Sequence, residues 1–316
     1  MTPSAILIAG PTASGKTALA VAIAKAIGGS VINADSMQVY SDLFILSARP
    51  DAKEQAGIPH LMFGHVDGSV NYSAGKWCAD AQKAIASVRD AGRVPVIAGG
   101  TGLYFKTLLH GLSDIPQVPD DVRQRVRVQA ASMTGDQLHE QLAQCDPVLA
   151  QRIRPGDAQR LVRALEVFEA TGKPLSSFQD NRGGATLDIG DCIAVFLAPD
   201  RALLRERINL RFDRMVEAGA VEEVRRLAAS GLDPQLPLMR AHGVPGLLAY
   251  LRGETTLEAA IDRGKGDTRK YAKRQFTWFR HQLSAFEWVE PSEAEALIMQ
   301  RVRSPAAGQG LAGAGR

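Results

Sequence analysis

A run of five apolar residues, Ala5 to Ala9, gives way to the glycine-bounded stretch GPTASGKT, and the segment behind it, Lys16 to Ile27, stays alanine-rich until Gly28 and Gly29 stop it. A short apolar run closed by glycine reads as a buried strand, and a longer one closed by a glycine pair reads as a helix. SVINAD (Ser30 to Asp35) and VPVIAGG (Val94 to Gly100) repeat the strand pattern with β-branched residues, and Tyr72 to Ala91 between them reads as a helix that Gly92 breaks. Strands separated by helices imply a parallel sheet.

From about Asp114 to Gly190 the pattern changes: no strand-like run occurs, and helical segments follow one another behind Pro, Asp and Gly. CIAVFLA (Cys192 to Ala198) then returns as a strand, and Pro199-Asp200 opens a long helix predicted to continue to about Ser230. Glu258 to Gln282 reads as a helix, EWV (Glu287 to Val289) as a last short strand, and the terminal SPAAGQGLAGAGR as low-complexity. The expected fold is therefore α/β: a P-loop NTPase-like parallel sheet flanked by helices, with an all-helical insertion. Residues 1–113 and 191–303 form the catalytic core, 114–190 the insertion, and 304–316 a disordered tail.

Composition narrows the class without choosing a function. The chain has 316 residues, 45% hydrophobic, enough for a buried core, and its formal charge of +3 permits a polyanionic partner without specifying one. Cys78, Cys145 and Cys192 are scattered and odd in number, so reduced thiols are expected rather than a disulfide framework or a zinc site. The opening MTPSAILIAG lacks a basic leader, and its apolar run is too short for a membrane span. The expectation is a cytoplasmic protein with no membrane partner. No coiled coil or exposed apolar stripe argues for association, so a monomer with no obligate protein partner is expected.

Gly10-x-x-x-x-Gly15-Lys16-Thr17 satisfies the Walker A spacing and lies between a strand and a helix start, where the mechanism needs it. Glycines let backbone amides face phosphate oxygens, the helix start adds positive potential, Lys16 reaches the outer phosphate, and the Thr17 hydroxyl can ligate magnesium. The loop reads a diphosphate with magnesium and does not by itself specify ATP. The strand VPVIAGGT ends in glycines and Thr101, with no magnesium-side acid. Asp35, at the C-terminal tip of its strand, is the acid in position to accept a proton or hold magnesium through water, unless it merely caps the next turn.

Other candidates are weaker. In LLRERINLRFDRM, Leu204, Ile208, Phe212 and Met215 make an apolar stripe beside Arg207, Arg211 and Arg214, and pairing with Glu206, Asp213 or Glu217 is the plainer role for those arginines. Arg123, Arg125, Arg127, Arg160 and Arg163, together with RKYAKRQFTWFR (Arg269 to Arg280), are candidate phosphate-contact surfaces. Trp278 and Phe279 fit packing. The six histidines lack metal-like spacing.

GPTASGKT, ADSMQVY, GGTGLYFKTLLHGL, DAQRLVRALEVFEATGKPLS, ERINLRFDRMVEAG and AKRQFTWFR occur in this order from about residue 5 to residue 280. Together they resemble the bacterial tRNA dimethylallyltransferase family, also called the tRNA isopentenyltransferases. The resemblance implies transfer of a dimethylallyl group from dimethylallyl diphosphate to N6 of the adenine immediately 3′ of the anticodon, position 37, in tRNAs reading codons that begin with U. It implies that Gly10, Pro11, Thr12, Ala13, Ser14, Gly15, Lys16 and Thr17 grip the diphosphate with Mg2+, Thr17 being the metal ligand. Asp35 matches the general base and Arg211 the catalytic arginine, with Lys16 and Thr101 beside them. The residues similar to the family's contacts with the tRNA anticodon stem-loop are Asp35, Ser36, Met37, Gln38, Thr101, Arg123, Gln159, Arg160, Leu161, Val162, Arg163 and Arg240.

The chain departs from the family pattern in ILSARP, where Leu46 stands for a glycine and Arg49 for a lysine, and in MRAHGVPGL (Met239 to Leu247), which leaves Arg240 and Gly243 as the matches. Two other functions use parts of the same pattern: a P-loop kinase positioning a hydroxyl beside Asp35, and an RNA-binding regulator whose loop senses a nucleotide. Each leaves the ordered match along the chain unexplained.

Overall fold

The first apolar run forms β1 (Ala5–Ala9), and all of it is buried. Its alternating side chains serve two cores: Ala5, Leu7 and Ala9 pack into one, and Ile6 and Ile8 into the other. A strand buried on both faces needs helices on both sides. The computed structural model describes residues 2–179 and 183–303; the tail expected to be disordered, 304–316, lies outside the described residues.

Helix α1 (Lys16–Ile27) stops where the glycine pair predicts, at Gly28 in the left-handed region. Strand β2 (Gly29–Asn33) ends two residues before the expected Asp35 because the Asn33 side chain takes over. Its Oδ1 accepts the Asp35 N–H at 2.8 Å and its Nδ2 donates to the Asp35 carbonyl at 3.0 Å, turning the chain out of the sheet. There follow α2 (Ala52–Gln55), β3 (His60–Leu61), α3 (Ala74–Asp90), β4 (Val94–Gly99) and α4 (Gly102–His110). Ser73 caps α3 by accepting the Lys76 N–H, which moves its start from Tyr72 to Ala74. β3, two residues long, falls below the length at which an apolar pattern is legible.

After the helical segment come β5 (Cys192–Leu197), α10 (Arg201–Glu217), α11 (Ala220–Ala229), α12 (Val244–Leu251), α13 (Leu257–Gln282), β6 (Glu287–Val289) and α14 (Ala294–Arg303), the labels α5 to α9 being kept for the intervening helices. The single helix expected from Asp200 to Ser230 is two helices. Gly219, at φ 100°, breaks it.

The sheet has six strands in the order β3-β2-β4-β1-β5-β6, every pair parallel. β1 is thus central, with β4 between it and β2. α3, α4, α12 and α13 contribute to the core on one face, and α1 and α14 to that on the other. Among the described residues no helix is long and apolar enough to cross a membrane.

The chain divides into two compact units, Met1–Leu109 with Thr186–Arg316, and His110–Ala185. The second unit ends earlier than residue 190 because Thr186 and Leu187 already donate their N–H groups to the Leu108 carbonyl, at 2.8 and 3.1 Å, and Leu187 is buried in the sheet unit's core. The second unit is helical: α5 (Asp120–Ala131), α6 (Gly135–Cys145), α7 (Pro147–Ala150), α8 (Ala158–Thr171) and α9 (Leu175–Gln179), around a core that includes Val122, Leu142 and Leu161.

Candidate active site

The phosphate loop leaves the tip of β1. Ala13 at φ 62° and Gly15 at φ 92° turn it tightly, and Gly15 offers α1 no side-chain cap. The first-turn amides are thereby left to an anion. The Ser14 hydroxyl is buried without a hydrogen-bond partner, a polar atom that only a ligand or water can satisfy. Lys16 Nζ folds back over the loop and donates to the Pro11 carbonyl at 2.6 Å. Burial pushes its ammonium down to about 8, while the Asp35 charge opposes that fall and the Arg211 charge adds to it. Lys16, Asp35 and Arg211 therefore share one electrostatic field.

Asp35 lies just beyond β2, half-buried. Its Oδ1 accepts the Met37 N–H at 2.9 Å, so it does cap the next turn. Its carboxylate also faces a cavity shared with Thr12 and Arg211. One side chain does both: the cap fixes the orientation of a carboxylate that lines the cavity. Thr101 holds the same loop from the other side, its Oγ1 accepting the Ser36 N–H at 3.0 Å and its own N–H donating to the Ala34 carbonyl at 3.1 Å. The Tyr271 hydroxyl, pushed up by burial and by the Asp35 charge, lines the same cavity as Asp35.

Arg211 projects from α10, and its Nη1 donates to Thr12 Oγ1 at 3.4 Å. Burial lowers its proton affinity and Asp35 and Glu54 restore part of it, but a guanidinium stays cationic. The plainer role for its stripe fails at Asp213, which pairs with Lys265 at 2.6 Å. The cavity, about 70 Å3, has Met37, Leu46, Ile208, Phe212 and Met215 as its apolar wall.

The glycines ending β4 belong to packing rather than to phosphate binding. β4 separates the phosphate loop from Asp35, so its tip must be bare for the two to meet. A Cβ at Gly99 would lie 2.1 Å from the Ala34 backbone, at Gly100 2.2 Å from Gln275 Nε2, and at Gly102 2.2 Å from the Trp278 ring. Trp278 and Phe279 pack as expected, Phe279 being fully buried.

Gln275 is a site residue that sequence reasoning missed. Buried on α13, it accepts the Thr12 N–H at 3.1 Å and donates to the Gly100 carbonyl at 2.8 Å, tying the phosphate loop to the strand tip before Thr101. The available signal was a lone amide among the aromatic and basic residues of AKRQFTWFR. Glu223 was missed too. Its buried carboxylate accepts the N–H groups of Phe44, Ile45 and Leu46 at 2.7, 2.8 and 2.9 Å, pinning the loop whose sequence departs from the family pattern. Arg49 in that loop is structural: it donates to the Tyr40 carbonyl at 3.0 Å and lies over the Phe44 ring.

The candidate RNA contacts fall in both units. In the sheet unit Ser36, Met37, Gln38 and Thr101 surround Asp35 half-buried, with Gln38 Nε2 committed to the Ser47 and Ala48 carbonyls, while Arg240 is exposed. In the helical unit Arg123 pairs with Asp120, Arg160 with Asp157, and Arg127 and Arg163 with the buried Glu166. Gln159 is exposed and Val162 half-buried. Leu161 is fully buried in that unit's core, so its side chain is not open to RNA, because α8 turns this position inward.

A phosphate loop at the tip of the central strand of an all-parallel sheet, with a carboxylate and two cations converging beside it, defines a P-loop enzyme of the group-transfer class. Residues 38–282 match the IPP transferase family and residues 3–67 the isopentenyl transferase family. The chain is 58% identical over 295 residues to the tRNA dimethylallyltransferase of Methylobacterium nodulans, covering 93% of this chain and 97% of the relative. Among solved structures it is similar to the tRNA isopentenylpyrophosphate transferase of Bacillus halodurans, with a TM-score of 0.67, 34% identity, and 95% and 96% of the two chains covered. It is also similar to a eukaryotic dimethylallyltransferase acting on tRNA, with a TM-score of 0.80, 28% identity, and 97% and 81% covered. The chain belongs to the IPP transferase family.

Proposed function

We propose that this protein transfers a dimethylallyl group from dimethylallyl diphosphate to N6 of the adenine immediately 3′ of the anticodon, in tRNAs reading codons that begin with U. The observation that carries the reading is the single cavity lined by Thr12 of the phosphate loop, Asp35 and Arg211. A cationic diphosphate grip and a carboxylate base converge there on an apolar space. That combination suits an allylic donor and a weakly nucleophilic amine.

The donor's C1–O bond breaks as the N6–C1 bond forms, the N6 proton passes to Asp35, and diphosphate leaves against Lys16, Arg211 and the loop amides. Adenine N6 is a poor nucleophile, and a stacked base is out of reach, so the adenine is drawn out of the anticodon loop toward Asp35. Thr101 and Gln275 act through others, holding the Asp35 loop and Thr12.

Magnesium fits this arrangement. The partnerless Ser14 hydroxyl and the uncapped start of α1 suit an anion, and Thr17 in the first turn of α1 would hold a cation bound to that anion. Among the described residues no three acid, histidine or cysteine side chains cluster as a metal site. When bound, magnesium neutralises charge on the departing diphosphate. For RNA, Ser36, Met37, Gln38, Thr101 and Arg240 are the proposed contacts in the sheet unit, and Arg123, Gln159, Arg160, Val162 and Arg163 those in the helical unit.

The test is incubation of purified protein and magnesium with isotopically labelled dimethylallyl diphosphate and an unmodified tRNA transcript, followed by nucleoside digestion. Label on N6 of the adenine 3′ of the anticodon is expected. Absence of label together with ATP turnover would replace this reading with a kinase.

A further inference from the structure

We propose that Leu46 and Phe212 form a rigid wall that limits the transferred group to one five-carbon isoprenoid unit. The inference rests on the prenyl-diphosphate reading above and adds the residues that measure chain length.

Leu46, Phe212 and Met215 stand on the apolar side of the cavity that also holds Asp35 and Arg211, where the hydrocarbon end of a prenyl donor would lie. A second isoprenoid unit would run against this wall. Leu46 is held through its backbone: its N–H and those of Phe44 and Ile45 all end on the buried Glu223 carboxylate. Its side chain cannot fall back either, since Cδ2 is 3.0 Å from where a Cβ on Gly243 would stand.

Phe212 is equally confined. Its ring atoms lie 2.1 Å from the Cβ position of Gly264 and 3.1 Å from that of Gly243, so two glycine backbones back the ring directly. Close-packed side chains resting on backbone transmit strain instead of moving aside. The wall therefore discriminates by size, while the chemistry is indifferent to length: with either donor the C1–O bond breaks, the N6–C1 bond forms and the N6 proton goes to Asp35.

The full-length protein, with magnesium and an unmodified tRNA transcript, is given equal concentrations of dimethylallyl and geranyl diphosphate, and the prenylated adenosines are quantified by mass after digestion. The wild type is expected to favour dimethylallyl by about 100-fold, and Leu46→Ala to raise the geranyl-to-dimethylallyl ratio by about tenfold or more. Phe212→Leu, which opens the same wall from α10, is expected to shift the ratio in the same direction and serves if Leu46→Ala fails to fold. A wild type that accepts both donors alike overturns the proposal, as does an active Leu46→Ala or Phe212→Leu protein with an unchanged ratio. A wild type that transfers neither group overturns the prenyl-diphosphate reading itself.

Discussion

The side-chain oxygen of Gln275 accepts the backbone N–H of Thr12 at 3.1 Å, across 263 residues of sequence. Its amide nitrogen is at the same time spent on the Gly100 carbonyl. A buried amide with both ends committed has one orientation, so α13 sets the spacing between the phosphate loop and the strand tip that carries Thr101. Gln275→Leu is expected to leave two buried backbone groups unpaired and weaken the grip on the donor by about 1–3 kcal/mol, that is about fivefold to 150-fold in KM for dimethylallyl diphosphate. Gln275→Glu, which keeps an acceptor for Thr12, should recover part of that loss. Steady-state kinetics beside thermal melts check it; a Leu variant with normal KM removes Gln275 from the site.

Asp35→Asn keeps an oxygen for the Met37 N–H and so preserves the turn, but it cannot take up the N6 proton. Turnover should fall by about 100- to 10,000-fold with tRNA affinity nearly unchanged. Single-turnover rates and filter binding measure the two separately, and a variant with near-normal turnover sinks the assignment of Asp35 as base.

Lys16 carries its proton only up to a pH of about 8 in the free protein. A bound diphosphate favours the ammonium and raises its pKa, so the sign of the Lys16 share is definite: it is full below about pH 8 and is lost as pH rises beyond it, by up to about tenfold per unit. Calorimetric titration with diphosphate of the wild type beside Lys16→Arg, which stays cationic and carries the ligand's own ionisation, reads that share as the ratio of the two affinities. A ratio that stays constant well above pH 8 contradicts the position given to Lys16.

Glu223→Ala strands the N–H groups of Phe44, Ile45 and Leu46. Hydrogen bonds to a charged group contribute about 1.5–3 kcal/mol each, so a loss of about 2–4 kcal/mol in unfolding free energy is expected after partial rescue by water. Glu223→Gln should lie between. Urea unfolding measures it, and a change below about 1 kcal/mol shows that the loop does not depend on this carboxylate.

Arg160 is exposed and paired only with Asp157, at 3.4 Å. Arg160→Ala should weaken tRNA binding and lower the slope of log affinity against log salt by about 1. Binding curves at several salt concentrations decide it, and an unaltered slope removes Arg160 from the RNA surface.

Much of this protein is local in origin. The phosphate loop, the strand before it and the helix after it follow from an apolar run, glycine spacing and a glycine pair, all within the first 29 residues. The strand alternation foretells a parallel sheet in the same way, and the ordered motifs carry the family. Errors arise where a side chain or one glycine overrules a pattern: Asn33 pulls Asp35 out of β2, and Gly219 cuts one long helix into α10 and α11.

Of the proposed site groups, Lys16, Thr17 and Asp35 are legible in the sequence because each stands in a short motif whose chemistry depends on its immediate neighbours, whereas Arg211, whose own helix stripe favours plain ion pairing, is legible only through the family resemblance. Tertiary structure alone decides how they are held. The contacts of Gln275 with Thr12, Glu223 with Leu46 and Phe212 with Gly264 join residues from 52 to 263 positions apart. Bonds over such separations follow from packing the helices on the sheet, and no local periodicity encodes them.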